Sequence, residues 1–409
     1  MKRIQKIIIA LISLSPIALC AQGYQVNLQG QVQQGMGGAG TAYVQDAAVL
    51  FFNPGAASFF TGNSVNLGVS PTISHGEFLD KNTNQKAETK SPVSYPFAAY
   101  GIFGLKDSSN LKFGLAVYTP FGSTVQWQDA WMGRFALTRL QLQAIFFQPT
   151  VSYKITDKIG VGAGFVYSDG KVNLQKDIPV IDANGTYGHA ELAGKAVGYG
   201  FNAGVYFKPI DKFSIGLTYR SQVNMKVKSG DATFTVPSSI ASNFPNGKFT
   251  AQLPLPQVVT LGLAYSATEK LALALDINFV GWKAYDTLAF DYATNTPSLI
   301  DTKSARNYKN TVAFRLGGQY KVTESFAARL GIAYGISPVQ NGYVTPETPD
   351  ANRINYTIGL GYTINKKMGV NASLLFTTLK REDTNLETNL SGTYKTNVVV
   401  PGISLFYNF

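Results

Sequence analysis

From about residue 62 onward the chain alternates with a period of two, and this alternation restricts its fold more than any other feature. Phe326, Ala328, Leu330, Ile332, Tyr334 and Ile336 share one parity, while Ser325, Ala327, Arg329, Gly331, Ala333 and Gly335 share the other. Ile354, Tyr356, Ile358, Leu360, Tyr362 and Ile364 repeat the scheme, and so do Leu271, Leu273, Leu275, Ile277 and Phe279. Successive side chains of a strand point to opposite faces. Each such segment therefore has one continuous apolar face and one face of small and polar residues. Fourteen of these segments follow one another, near 64–73, 95–103, 111–119, 142–155, 158–170, 196–210, 212–228, 255–265, 270–282, 311–322, 324–336, 352–364, 368–380 and 397–409. Many reach the roughly 9–11 residues that a tilted strand needs to cross a bilayer.

The connections sort into two kinds. Candidate long loops are 74–94, 120–141, 171–195, 229–254, 283–310, 337–351 and 381–396. Between them come tight turns at Thr156-Asp157, Asp211, Thr268-Glu269, Thr323-Glu324 and Asn365-Lys366. Outer-membrane barrels have an even number of strands, short periplasmic turns and long extracellular loops. A soluble sandwich has no reason to sort its loops in this way. No apolar run of 18 residues occurs, which excludes a polytopic helical membrane protein. Only 14% of residues are charged, while Phe and Tyr number 26 and 22, which argues against a disordered or nucleic-acid-binding chain. The expected fold is all-β: a 14-stranded antiparallel transmembrane β-barrel that ends Ile403, Leu405, Tyr407, Phe409 in alternation.

Ahead of the barrel stand two other segments. Lys2, Arg3 and Lys6 precede the apolar stretch Ile7 to Leu19, and Ala21 is a plausible cleavage point, so 1–21 reads as a signal peptide. The single cysteine, Cys20, lies before that cut, which leaves a mature chain without disulfides, thiolate nucleophiles or Cys metal sites. Of the formal net charge of +11, three charges leave with the n-region. The remaining basic excess suits an anionic partner such as lipopolysaccharide or a carboxylate ligand, or simply solvated loop lysines. Residues 22–62 are rich in glutamine, glycine and alanine and do not alternate. Their size and polarity fit an N-terminal plug (hatch) in the lumen, with the barrel occupying 63–409. Gly35, Gly37 and Gly40 match G-x-G-x-x-G, but without a βαβ setting the motif has no phosphate-binding geometry.

Several stretches resemble the FadL-type family of outer-membrane transporters. They are Gly23-Tyr24-Gln25-Val26-Asn27, Asn53-Pro54-Gly55 (where the family has Asn-Pro-Ala), Tyr118-Thr119-Pro120-Phe121-Gly122, Trp131-Met132-Gly133-Arg134, Tyr199-Gly200-Phe201-Asn202-Ala203-Gly204, Thr218-Tyr219-Arg220-Ser221, Ser337-Pro338-Val339 and Pro349-Asp350-Ala351-Asn352-Arg353. Their order and spacing cover essentially the whole mature chain. The resemblance implies a monomeric plugged barrel for passive uptake of long-chain fatty acids or other hydrophobic compounds. It implies no cofactor and no nucleic acid, with outer-membrane lipid and lipopolysaccharide as surroundings.

It also implies a set of site residues. The 120–141 loop, with Phe121, Trp127, Trp131, Arg134, Phe135 and Arg139, would form an outward-facing capture groove. Strand parity places Arg315 and Lys309 inward, and Lys309 aligns with the family lysine that meets a ligand carboxylate. The family's second basic contact does not carry over; Leu174 stands there, with Lys171 and Lys176 nearby, which leaves neutral ligands open. Tyr24 would block the pocket from the hatch. Asn53, Pro54 and Gly55 form the plug motif. Gly114 is the candidate kink in the third strand for lateral release, and Pro120 is expected to end that strand. The two histidines, His75 and His189, fall in expected loops with no metal spacing and no triad partner, so neither a metal site nor an enzyme is expected. A general porin, or an outer-membrane structural or adhesin protein, is the alternative function.

Overall fold

The computed structural model describes residues 23–106 and 109–409. The expected signal peptide, its cleavage point and Cys20 lie outside the described residues.

Fourteen strands close into one antiparallel ring. In chain order they are β1 (Ser64–Val69), β4 (Phe97–Gly104), β5 (Leu111–Gln126), β6 (Arg139–Lys154), β7 (Ile159–Ile181), β8 (Tyr187–Ile210), β9 (Phe213–Arg220), β12 (Val258–Ser266), β13 (Leu271–Val280), β16 (Thr311–Lys321), β17 (Phe326–Gly335), β18 (Arg353–Thr363), β19 (Met368–Thr384) and β20 (Ser391–Asn408). Each pairs with its predecessor in this series, and β1 pairs with both β4 and β20, which closes the cylinder. All fourteen expected segments correspond to these strands. The outward parity carries the large apolar residues; Leu330 is 68% exposed and Tyr356 54%. A closed sheet leaves no unpaired edge in lipid, so it satisfies the backbone where water cannot.

The short turns share one device. Thr156, Thr268 and Thr323 each accept backbone N–H bonds at Oγ1 from the residues two and three positions on, and Asn365 does so through Oδ1. Such side chains mimic a backbone turn and reverse the strand in few residues. At the other rim the expected long loops are largely strand. β7 and β8 run 23 and 24 residues and meet at 182–186, well inside the expected loop 171–195. Six further strands extend the wall: β2 (Ile73–Asp80), β3 (Lys86–Glu88), β10 (Val223–Thr235), β11 (Gly247–Leu255), β14 (Thr287–Tyr292) and β15 (Thr302–Ala305). These segments lack the apolar alternation because hydrogen bonding continues beyond the lipid-facing zone. The histidines accordingly sit on strands, not loops: His75 on β2 and His189 on β8.

Residues 23–59 fill the lumen. Two short helices, α1 (Gln31–Gly35) and α2 (Val49–Phe52), are almost wholly buried. Bonds reach inward-facing groups around the ring. Asp276 on β13 accepts from the Gly40 and Thr41 amides and from Thr41 Oγ1. Arg315 on β16 donates to Gly38 O and Asn27 Oδ1. Gln31 donates to Ser70 Oγ. The small inward residues have a reason here: a Cβ on Gly317 would lie 2.2 Å from Met36 O. Gly37 and Gly38 take φ of 71° and 83°, which glycine adopts without strain.

Candidate functional site

The wall of the ring is interrupted beside the hatch. β4 and β5 pair from Gly104↔Lys112 up to Ala98↔Tyr118. Beyond that point 91–96 leave the ladder, and the β5–β6 register shifts between Tyr118 and Phe121. The hatch backbone takes the place of a neighbouring strand. Val26 N donates to Pro120 O at 2.8 Å, Gly122 N donates to Tyr24 O at 3.3 Å, and Gln25 bridges Phe121. This corrects two expectations. Gly114 lies in regular register opposite Ile102, and its missing side chain makes room for Leu50 of the hatch. The irregularity lies at Thr119-Pro120 instead, since proline has no N–H for the ladder. Nor does Pro120 end the strand, which continues to Gln126.

Two cavities meet at this place. The larger, about 560 Å³, is lined by Tyr24, Phe121, Trp127, Pro96, Leu375 and Val398 among others, and reaches Glu347, Asp350 and Arg353. The smaller, about 80 Å³, is walled by Leu140, Leu142, Leu174, Met225, Leu253 and Phe290. Tyr24, Phe121 and Glu347 line both. The Tyr24 ring is held in an aromatic cage, 4.9 Å from Trp282, 5.6 Å from Tyr285 and 6.4 Å from Phe121 between centroids.

The structure brings together three of the expected ligand residues, Tyr24, Phe121 and Trp127, and separates the others from them. Trp131 stacks on Trp127 at 4.2 Å, but it is buried behind it, donating Nε1–H to Leu137 O. Arg134 lies over the Tyr187 ring at 4.5 Å, and Phe135 packs edge-on to the same ring. Arg139 reaches toward Gln141. None of Trp131, Arg134, Phe135 and Arg139 lines either cavity. Arg315 faces inward as expected, but it is occupied by the hatch. Lys309 is exposed and touches neither cavity. Strand parity fails for it because β16 begins only at Thr311, so Lys309 lies ahead of the extended backbone on which parity holds.

The plug motif fastens the hatch to the far wall. Asn53 Nδ2 donates to Thr41 O and Val205 O, its Oδ1 accepts from Gly55 N, and Ser152 Oγ donates to Pro54 O at 2.6 Å. A Cβ on residue 55 would meet Gly204 O at 2.5 Å, which accounts for glycine where the family has alanine.

Sequence reasoning missed the group facing Tyr24 from the β17–β18 connection. There Thr345 and Thr348 bridge around a two-residue turn, Pro346-Glu347, that dips into the lumen. Pro346 O accepts from Trp127 Nε1 at 3.3 Å. Glu347 Oε1 pairs with Arg306 Nη2 at 2.7 Å, with side-chain exposures of 12% and 7%. The turn-forming run Thr345-Pro346-Glu347-Thr348-Pro349-Asp350 was the available signal. Asp350 Oδ2 accepts from Gly23 N and Ser337 Oγ, both at 3.0 Å. Burial pushes its carboxyl up to about 6, against the opposing effect of Arg353. His75 lies 3.6 Å from Glu77 and 3.8 Å from Glu88, with Lys86 bonded to both carboxylates in an exposed ionic cluster.

A closed barrel with a greasy exterior, a corked lumen and an apolar chamber beside the cork defines an outer-membrane transport protein. The chain belongs to the family described as outer membrane protein transport protein (OMPP1/FadL/TodX), whose model matches residues 11–409. It is thus a protein of the bacterial outer membrane and not an enzyme. It is 24% identical over 415 residues to a putative outer membrane protein of Neisseria meningitidis serogroup B, covering 90% of this chain and 88% of that one. It is 20% identical over 401 residues to the long-chain fatty acid transport protein of Escherichia coli K12, covering 87% of each. Its fold superposes on the crystal structure of a Pseudomonas aeruginosa FadL homologue with a TM-score of 0.82 at 19% identity, covering 95% of this chain and all of the other.

Proposed function

We propose that the protein, as a monomer amid outer-membrane lipid and lipopolysaccharide, takes up long-chain fatty acids or other hydrophobic compounds passively. The observation that carries this reading is the apolar cavity behind Tyr24, reached from the larger and more polar one. A ligand captured in the larger cavity gains by moving inward. Full burial of a methylene from water is worth roughly 0.8 kcal/mol, and each one that passes from the more polar cavity into the apolar one gains a part of that. Release then uses the interrupted wall between β4 and β5. When the hatch arm 24–26 leaves the β5 edge at Pro120–Gly122, the ligand passes sideways into the membrane rather than down the corked bore. The plug motif at Asn53–Gly55 keeps the rest of the hatch in place meanwhile.

A porin would need an open bore, and the filled lumen speaks against that alternative. Planar-bilayer conductance together with mass spectrometry of co-purifying lipids tests the reading. Expected are small, unsteady currents and bound hydrophobic molecules. Large steady channels with no bound ligand would reject it.

A further inference from the structure

Glu347 lines both cavities from the tip of its turn, and its carboxylate is bonded to Arg306 at 2.7 Å. Arg306 is itself shielded: it is buried, its guanidinium stands against Tyr285, and it lines neither cavity. Any ligand carboxylate seeking that cation has to displace Glu347. The other buried cations among the described residues are also engaged. Lys112 donates to Gly62 O, Arg315 to the hatch, and Arg329 to Gln319 and Asn371. Of the charged groups on the cavity walls, Arg353 lines the larger cavity only and lies in the field of Asp350, while Lys171 is exposed on β7 and Glu77 is engaged by Lys86. An anionic headgroup brought into the smaller cavity behind Tyr24 therefore meets the Glu347 carboxylate, with the exposed Lys171 the one cation on that wall among the described residues, and like charges in a poorly solvated site repel. A neutral headgroup meets no such barrier.

We propose that Glu347 is a specificity-determining residue: it supplies the protein's own carboxylate to the buried guanidinium beside the chamber, and the chamber therefore takes uncharged hydrophobic molecules in preference to carboxylates. This rests on the uptake reading above and names its substrate class. Removing the Glu347 charge leaves Arg306 uncompensated beside the cavity, and a ligand carboxylate then becomes its best available partner.

The test uses the full chain in amphipol. Trp127, on the wall of the larger cavity, and Trp282, in the Tyr24 cage, report occupancy by fluorescence. The probes are 1-dodecanol and dodecanoate, which share a chain and differ in charge. Wild type is expected to bind dodecanol at least tenfold more tightly than dodecanoate. Glu347→Gln is expected to tighten dodecanoate at least tenfold and leave dodecanol unchanged. The double variant Glu347→Gln/Arg306→Met, which holds no unpaired charge, keeps the test open where the single variant fails to fold, and in it the dodecanoate gain is expected to vanish. Equal wild-type affinity for the two probes overturns the proposal. So does a dodecanoate gain that survives loss of Arg306, or dodecanoate binding that depends on Lys171 in a Lys171→Ala variant. Binding of neither probe overturns the uptake reading itself, a separate outcome from binding without discrimination.

Discussion

A Cβ placed on Gly331 of β17 would stand 2.0 Å from the backbone nitrogen of Gly37 in the hatch. The two backbones thus touch through the gap left by a missing side chain, and the same Gly37 amide donates to Thr357 Oγ1 at 2.9 Å. The hatch is therefore seated by backbone contact that no larger residue tolerates. Gly331→Leu is expected to leave the barrel folded, because its strand pairs continue on both sides, and to expel this part of the hatch. Single-channel recording checks it: leak conductance should rise several-fold while the heat-dependent mobility shift on gels is kept. Unchanged conductance would show that the hatch yields by a route other than displacement.

The lipid-facing half of the fold was readable because alternation leaves a trace at every residue. Leu330, Ile332 and Tyr356 each had to be large and apolar for the same reason, so fourteen segments could be counted one by one. The lumen leaves no such trace. Its partners are far apart in sequence, as with Asp276 and Gly40, and either residue alone reads as an ordinary polar position or turn. Glu347 and Arg306 were invisible on the same account: their meaning lies in the pairing of two separate connections. Lys309 was misplaced because parity was carried two residues ahead of Thr311, where β16 begins, and periodicity holds only while the backbone stays extended.

Lys309 gives the second prediction. Its side chain is exposed and lies on neither cavity wall. Lys309→Ala is expected to change the affinity for dodecanol and dodecanoate by less than twofold each. A selective loss of dodecanoate binding in a fluorescence titration would return Lys309 to the site.

Asp350 gives a dependence on pH. Its carboxyl has an ordinary value of 3.8 and is raised by burial to about 6. A raised acid favours the protonated, folded state. The stabilisation is full below about pH 4 and is lost as the pH rises through about 6. A shift of this size corresponds to roughly 3 kcal/mol. Asp350→Asn keeps an oxygen for Gly23 N and Ser337 Oγ and removes the titration. The unfolding midpoint of wild type relative to Asp350→Asn should therefore fall between pH 4 and 7. A constant difference across that range would mean that the carboxyl does not titrate there.

Tyr24 separates the two cavities, and its phenol hydroxyl donates to Pro254 O at 3.4 Å, a long bond that contributes little beside the ring's packing. Tyr24→Ala should join the chambers into one. A ligand of ten or more carbons, which has to displace the ring in wild type, is then expected to bind several-fold more tightly. A monocyclic aromatic, small enough for the outer cavity alone, should bind as before. Tyr24→Phe keeps the partition and is expected to match wild type for both. The comparison is made by fluorescence titration of the three proteins with 1-dodecanol and with a small aromatic alcohol. Weaker binding of dodecanol by Tyr24→Ala would show that the ring is a ligand contact rather than a door, and would place the ligand wholly on the outer side of the hatch.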